Sequence, residues 1–223
     1  MPGCVVTNDA EASLPLHRHE DARIIVVLDG EICENDLSGR HVYGKGEVLF
    51  RPPFCAHANA SSGAPSSFLR LHVSRKNWIG YVRRHGWRGM RAALELETRE
   101  HRAALRARRG GDSLFSMMLE AGMPVGGGDE ARFSGALSLR ALAIGEGLEP
   151  YQLTRRFQKR FGLTPTAWRR EWRLRRALTL LAEGAALASI AVDCGFSDQS
   201  HLTREVKRAT GMAPAAFQRF AQG

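Results

Sequence analysis

The stretch Ala143-Ile144-Gly145-Glu146-Gly147-Leu148 returns as Ala191-Val192-Asp193-Cys194-Gly195-Phe196, and Leu153-Thr154-Arg155 returns as Leu202-Thr203-Arg204. Gly162-Leu163-Thr164-Pro165 is echoed by Gly211-Met212-Ala213-Pro214, with an offset one residue longer, which places one extra residue near Asp198. Each copy reads as a helix-turn-helix. A short first helix (Leu139 to Ile144; Leu187 to Cys194) carries a small Ala where a second helix crosses closely. A glycine then supplies a left-handed turn, and an apolar residue anchors that turn to the core. Pro150 suits the first position of one second helix; Ser197 caps the other, and Asp198 favours its positive end. Leu153, Phe157 and Phe161, and then Leu202, Val206 and Ala209, recur at helical spacing and leave Thr, Gln, Arg, Lys and His outward.

Between the copies, Thr164 and Pro165 open a helix that runs to about Glu183, where Gly184 stops it. Leu174, Ala177, Leu178 and Leu181 form its apolar face, and Arg169, Arg170, Arg173, Arg175 and Arg176 crowd the rest. At 1.5 Å per residue its length is roughly 28 Å, enough to set two reading helices about one duplex turn apart. Charge follows the repeat: from Gly135 onward there are 14 Lys/Arg against 7 Asp/Glu, and before it 18 against 16. A basic surface on paired helix-turn-helix units points to phosphates.

Gly195-Phe196-Ser197-Asp198-Gln199-Ser200-His201-Leu202-Thr203-Arg204, continued by Lys207-Arg208, Gly211 and Pro214, resembles the DNA-binding signature of the AraC/XylS family of bacterial transcription regulators. Leu202 and Val206 stand where that family usually has aromatic residues. The resemblance implies double-stranded DNA as partner, with RNA polymerase, and a homodimer. It also places Tyr151, Gln152, Thr154 and Arg155, and then Gln199, Ser200, His201, Thr203 and Arg204, toward the major groove. There Arg pairs bidentately with guanine, Gln with adenine, and the Thr methyl touches thymine. Lys159, Lys207 and Arg208 lie further along and meet phosphates; simple solvent exposure is the alternative for each of these residues.

Upstream, strand-like runs at Ile24 to Leu28, Glu31 to Cys33, His41 to Tyr43, Val48 to Phe50 and Phe68 to Val73 follow a short N-terminal arm. They are punctuated by Asp29-Gly30, Ser38-Gly39, Gly44-Lys45-Gly46 and Pro52-Pro53. They predict a small β-barrel or sandwich. His17-Arg18-His19 before a strand, with Gly46, Pro52 and His57 further on, resembles a cupin. The expected fold is therefore α+β: a cupin-like β-barrel followed by an all-α domain with two helix-turn-helix units joined by a linker helix.

His17, His19 and His57 could converge on a divalent metal. Arg23, however, stands where the cupin pattern usually has a glutamate, so the pocket reads first as a small-molecule effector site with no required cofactor. Arg23 and Arg51 would favour an anionic ligand there. A metal-dependent cupin enzyme fused to a DNA-binding unit is the alternative, and a purely architectural DNA binder would leave the barrel without a role.

Trp78 to Arg109 has helical composition. Leu94, Thr98, His101 and Leu105 align on one face of it, suited either to dimerisation or to packing on the barrel. Ser113 to Ala121 reads as a further helix, and Pro124-Val125-Gly126-Gly127-Gly128 as a linker. The domains expected are residues 1–75, cupin-like; 76–124, helical; and 125–223, DNA-binding. Cys4, Cys33, Cys55 and Cys194 show neither zinc-finger spacing nor a CxxC pair, so buried free thiols are expected. With no apolar run of ~20 residues and no signal peptide, the reading is cytoplasmic without membrane contact.

Overall fold

A computed structural model describes residues 3–79, 94–95 and 138–222. The chain divides into two compact units, each taken by itself below. The N-terminal unit is built of antiparallel sheet. Its strands are β1 (Cys4–Asn8), β2 (Leu14–His17), β3 (Ala22–Asp29), β4 (Ile32–Asp36), β5 (Gly39–Tyr43), β6 (Glu47–Arg51), β7 (His57–Ala60), β8 (Ser66–Val73) and β9 (Leu94–Glu95). They form two sheets, of order β1-β8-β3-β6-β9 and β2-β7-β4-β5. The sheets are open and do not close into the expected barrel.

The apolar run Ile24-Ile25-Val26-Val27 is wholly buried because β3 is central, flanked by β8 and β6. Ile25 faces Leu49 and Val27 faces Phe68 across the ladders, and with Ile32 and Tyr43 these side chains make one core cluster. β1, β2 and β7 escape the sequence reading for local reasons. β1 is an edge strand with exposed side chains, β2 contains Pro15, and β7 (His57-Ala58-Asn59-Ala60) lacks β-branched residues. Leu94–Glu95, read as helix, is instead a short strand paired with Val48 and Glu47, where the ladder overrides helical composition. The expected helix at 113–121, the linker at 124–128 and most of 76–124 lie outside the described residues.

The C-terminal unit comprises α1 (Leu139–Gly145), α2 (Pro150–Phe161), α3 (Pro165–Ala182), α4 (Leu187–Asp193), α5 (Gln199–Thr210) and α6 (Pro214–Gln222). The sequence repeat is a repeat of hydrogen bonds. Leu148 N donates to Ala143 O, and Phe196 N to Ala191 O, both at 2.8 Å. Gly147 and Gly195 turn left-handed at φ 67° and 71°, so a side chain at either would strain the turn. Ala143 and Ala191 are buried under the crossing helices.

Glu149 and Asp198 occupy the equivalent N-cap positions of α2 and α5, so the extra residue of the second copy is Ser197. The expectation that Ser197 caps α5 is corrected: Asp198 accepts from His201 N at 2.6 Å, and Ser197 Oγ donates to Asp198 instead. Its flexible two-oxygen carboxylate reaches the free N–H groups of the first turn, and those bonds hold it below the usual carboxylate range.

Leu142, Ala143, Leu153, Phe157, Phe161 and Trp168 pack the first unit; the Trp168 ring lies 6.0 Å from Phe157 and 5.6 Å from Phe161. Ile190, Leu202, Val206 and Phe217 are buried in the second. Ala209, expected inside, is only half-buried; the adjacent Thr210 is buried with its hydroxyl donating to Val206 O at 2.8 Å, which meets its polar requirement. Trp168 on α3 and Phe217 on α6 hold equivalent places after Pro165 and Pro214. The repeat thus extends one element beyond its last sequence echo, and α6 is a second copy of the start of α3.

Candidate nucleic-acid interface and histidine cluster

α2 and α5 each bury one stripe and present the other. On α2, Tyr151 is 65% exposed, Arg155 and Lys159 are exposed, and none of the three has a side-chain partner among the described residues. Gln152 Oε1 accepts from Glu149 N at 2.8 Å, and Thr154 Oγ1 donates to Pro150 O at 3.0 Å. Those two side chains are thus partly engaged by their own first turn.

On α5, Gln199, Ser200, Arg204 and Lys207 are exposed, and Thr203 is half-buried. Arg208 pairs with Glu205, which also accepts from Arg170 Nε at 3.0 Å. His201 differs from its neighbours. Its Nδ1 lies 3.4 Å from Ser197 N and 3.1 Å from Ser197 Oγ, and its ring packs edge-on to Phe196 with centroids 5.3 Å apart. The equivalent positions Gln152 and His201 therefore both fold back on the turn before their helix.

α3, 18 residues and about 27 Å long, starts at a Thr164 cap accepting from Ala167 N and ends at Glu183, before Gly184 at φ 88°. Leu174, Ala177, Leu178 and Leu181 are buried as its expected apolar face.

In the N-terminal unit, His17 and His57 are directly opposed where β2 meets β7, and His19 follows in the next loop. Their ring centroids lie 4.3 to 5.1 Å apart, and one ring nitrogen from each falls within 4.8 Å of the others. His17 Nδ1 donates to Pro15 O at 2.8 Å and His57 Nδ1 to Cys55 O at 3.0 Å, because a carbonyl only accepts. The Nε2 of buried His57 is left without a hydrogen-bond partner. Phe54, whose φ of 60° is the one positive value outside glycine among the described residues, donates its N–H to His19 O at 2.7 Å and fixes that loop. Burial, then the Arg51 charge, pushes His57 down to about 2; burial, then Arg23, pushes His19 down to about 4. Neutral, oriented imidazoles are what a divalent metal needs.

Each arginine near the cluster is paired with a carboxylate. Arg51 is buried against Glu34, with Nε donating at 2.9 Å, and Arg23 Nε donates to Asp21 at 2.8 Å while Asp21 also binds His72. Both of the arginines expected to favour an anion thus already have a carboxylate partner. Glu34, Asp21 and His72 were missed, because nothing in their spacing links them to partners on distant strands.

A helix-turn-helix domain family model matches residues 142–219, from within α1 to within α6. The arabinose operon regulatory protein of Escherichia coli is 31% identical over 71 residues, 31% of this chain and 24% of that protein. The C-terminal domain belongs to the AraC/XylS family. This AraC/XylS domain is also similar to the bifunctional transcriptional activator/DNA repair enzyme Ada of E. coli, 35% identical over 81 residues, 36% of this chain and 23% of that protein. The matched segment thus spans about a quarter of the length of these relatives. Among solved structures, ToxT from Vibrio cholerae aligns over 99% of this chain and 98% of its own, at 9% identity and a TM-score of 0.43. Among the described residues, no helix is long and apolar enough to cross a membrane.

Proposed function

We propose that the chain is a sequence-specific DNA-binding transcription regulator, controlled by a small molecule or divalent metal at the His17-His19-His57 cluster of a cupin-like N-terminal domain. The observation that carries this reading is the doubled helix-turn-helix, with a polar and cationic face on the second helix of each copy. In this reading Tyr151, Thr154, Arg155, Gln199, Ser200, Thr203 and Arg204 read bases, and Lys159, Lys207 and Arg208 meet phosphates. Gln152 and His201 hold the turns and contribute to the groove face from there. The domains are residues 1–75, 76–124 and 125–223, the middle segment dimerising the chain. The protein works in the cytoplasm, engages RNA polymerase and catalyses no reaction.

The strand neighbours 1-8-3-6 and 2-7-4-5 support a cupin-like description, because two Greek keys wound as a jelly roll set the first strand beside the last and the second beside the next to last. The three imidazoles fit one divalent ion, held by His17, His19 and His57; a bound ion would supply positive charge and open coordination positions for an effector. The enzyme alternative draws on the same cluster, and metal-dependent turnover by the full chain would establish it.

Selection of oligonucleotides by the full chain, followed by a salt titration on the best site, tests the proposal. A defined site should emerge, and log affinity should fall against log salt by about 0.9 per phosphate neutralised. A flat salt response with no selected site would exclude DNA as the partner.

A further inference from the structure

Between α3 and α5, within the C-terminal unit, lies a half-open cavity of about 290 Å³ lined by Thr166, Arg169, Arg170, Arg173, Phe196, His201 and Glu205. Three guanidinium groups and an imidazole face one carboxylate, and that carboxylate is already shared by Arg170 and Arg208. Arg169 and Arg173 are one helical turn apart on α3, where like charges oppose one another. Burial, then the Arg173 charge, accordingly holds Arg169 below its usual value. The Arg173 guanidinium lies against the turn: a Cβ on Gly195 would sit 3.4 Å from its Nε. Thr166 belongs to the first turn of α3, whose positive end adds to the same field. The remaining wall is the Phe196 ring, braced edge-on by His201.

We propose that this cavity is a phosphate-binding site built into the second helix-turn-helix unit. Arginine forks match phosphate oxygens bidentately, and three guanidinium groups lining one cavity suit an anion. The volume exceeds that of a bare phosphate and approaches the lower range of small-ligand pockets, leaving the Phe196 side for an organic substituent. The phosphate comes either from a small phosphate ester or from the DNA backbone; the second source rests on the DNA-binding reading above, and the first does not. Because His201 and Phe196 also hold the turn before α5, an occupant would stiffen the start of that helix.

The test is a calorimetric titration of the DNA-free full chain with inorganic phosphate at constant ionic strength, chloride being the balancing anion. Saturable binding is expected, weakened roughly tenfold or more in Arg169→Gln, less in Arg169→Lys, and unchanged in Arg219→Gln, which removes an exposed charge on α6. Arg173→Gln should act like Arg169→Gln. Since Arg173 also lies against the turn at Gly195, its melting curve is compared first, and Arg169→Gln decides the matter if it unfolds. Repeating the titration with saturating cognate duplex separates the sources: phosphate excluded by DNA identifies a backbone seat, and phosphate still bound identifies a small-ligand site. Absence of saturable binding, or equal binding by wild type and Arg169→Gln, would overturn the proposal and leave only a diffuse ion atmosphere. The DNA-free arm stands whether or not the DNA reading does.

Discussion

The two helix-turn-helix units share a skeleton but not a chemistry. In the first, Arg156 on α2 reaches back to Glu146 in the turn, 3.5 Å away, so the charge pair closes within the unit. In the second, the equivalent places hold Glu205 and Cys194. Glu205 reaches out to Arg170 on α3, while Cys194 is buried. The first core is aromatic and the second mostly aliphatic. The backbone repeat is therefore set by Ala, Gly and the apolar stripe, and the side chains between those fixed points are free to diverge. The charge pair of the first unit closes on its own turn, and that of the second reaches the linker helix.

The largest expected effect distinguishes the two cores. Phe157→Ala, which removes a ring stacked among Phe161 and Trp168, should cost about 3–5 kcal/mol, and Leu202→Ala about 2–5 kcal/mol. Urea unfolding of the full chain checks both. A loss near zero for either would mean that its unit contributes little to the domain's stability.

A smaller effect distinguishes the reading faces. Arg204→Ala and Arg155→Ala should each cost ~1–3 kcal/mol on the best site and much less on random DNA, with relaxed preference at separate bases. Lys207→Ala should instead weaken all sequences about equally and lower the salt slope by about one. Gel-shift titrations on selected and random duplexes measure each. If Arg204→Ala behaves like Lys207→Ala, the second unit clamps phosphates and the first carries specificity.

The smallest effect concerns the turn. Burial pushes the Cys194 thiol up to about 11, so it stays protonated at pH 8, and thiolate is what reacts. Iodoacetamide should label exposed Cys4 well before Cys194, and Cys194 should accelerate only as the pH rises toward that value or the domain unfolds. Rapid labelling of Cys194 in the folded chain at pH 8 would show that the second turn opens.

Much of the C-terminal unit is legible because its signals are local. A left-handed glycine, an Ala at a crossing, Pro165 after Thr164 and Leu at helical spacing are each set by neighbours within about one turn, and they place α1 to α5 almost to the residue. α6 was harder: Phe217 reads as one aromatic in a short tail, and only its place in the core, matching Trp168, gives it meaning. The N-terminal unit is less legible for the same reason reversed. Its five longer apolar runs announce themselves, but β1, β2 and β7 exist because of the strands they pair with.

By itself the sequence determined the repeat, its helices and the outward basic face, since periodicity and turn chemistry are short-range. It also named His17, His19 and His57, because histidine spacing is visible in one dimension. Only the tertiary structure decided that these three rings meet, that Arg51 is matched by Glu34, and that Asp21 is shared with His72. Those outcomes depend on which strands lie side by side and which buried charges must find partners. Residues far apart in the chain settle both.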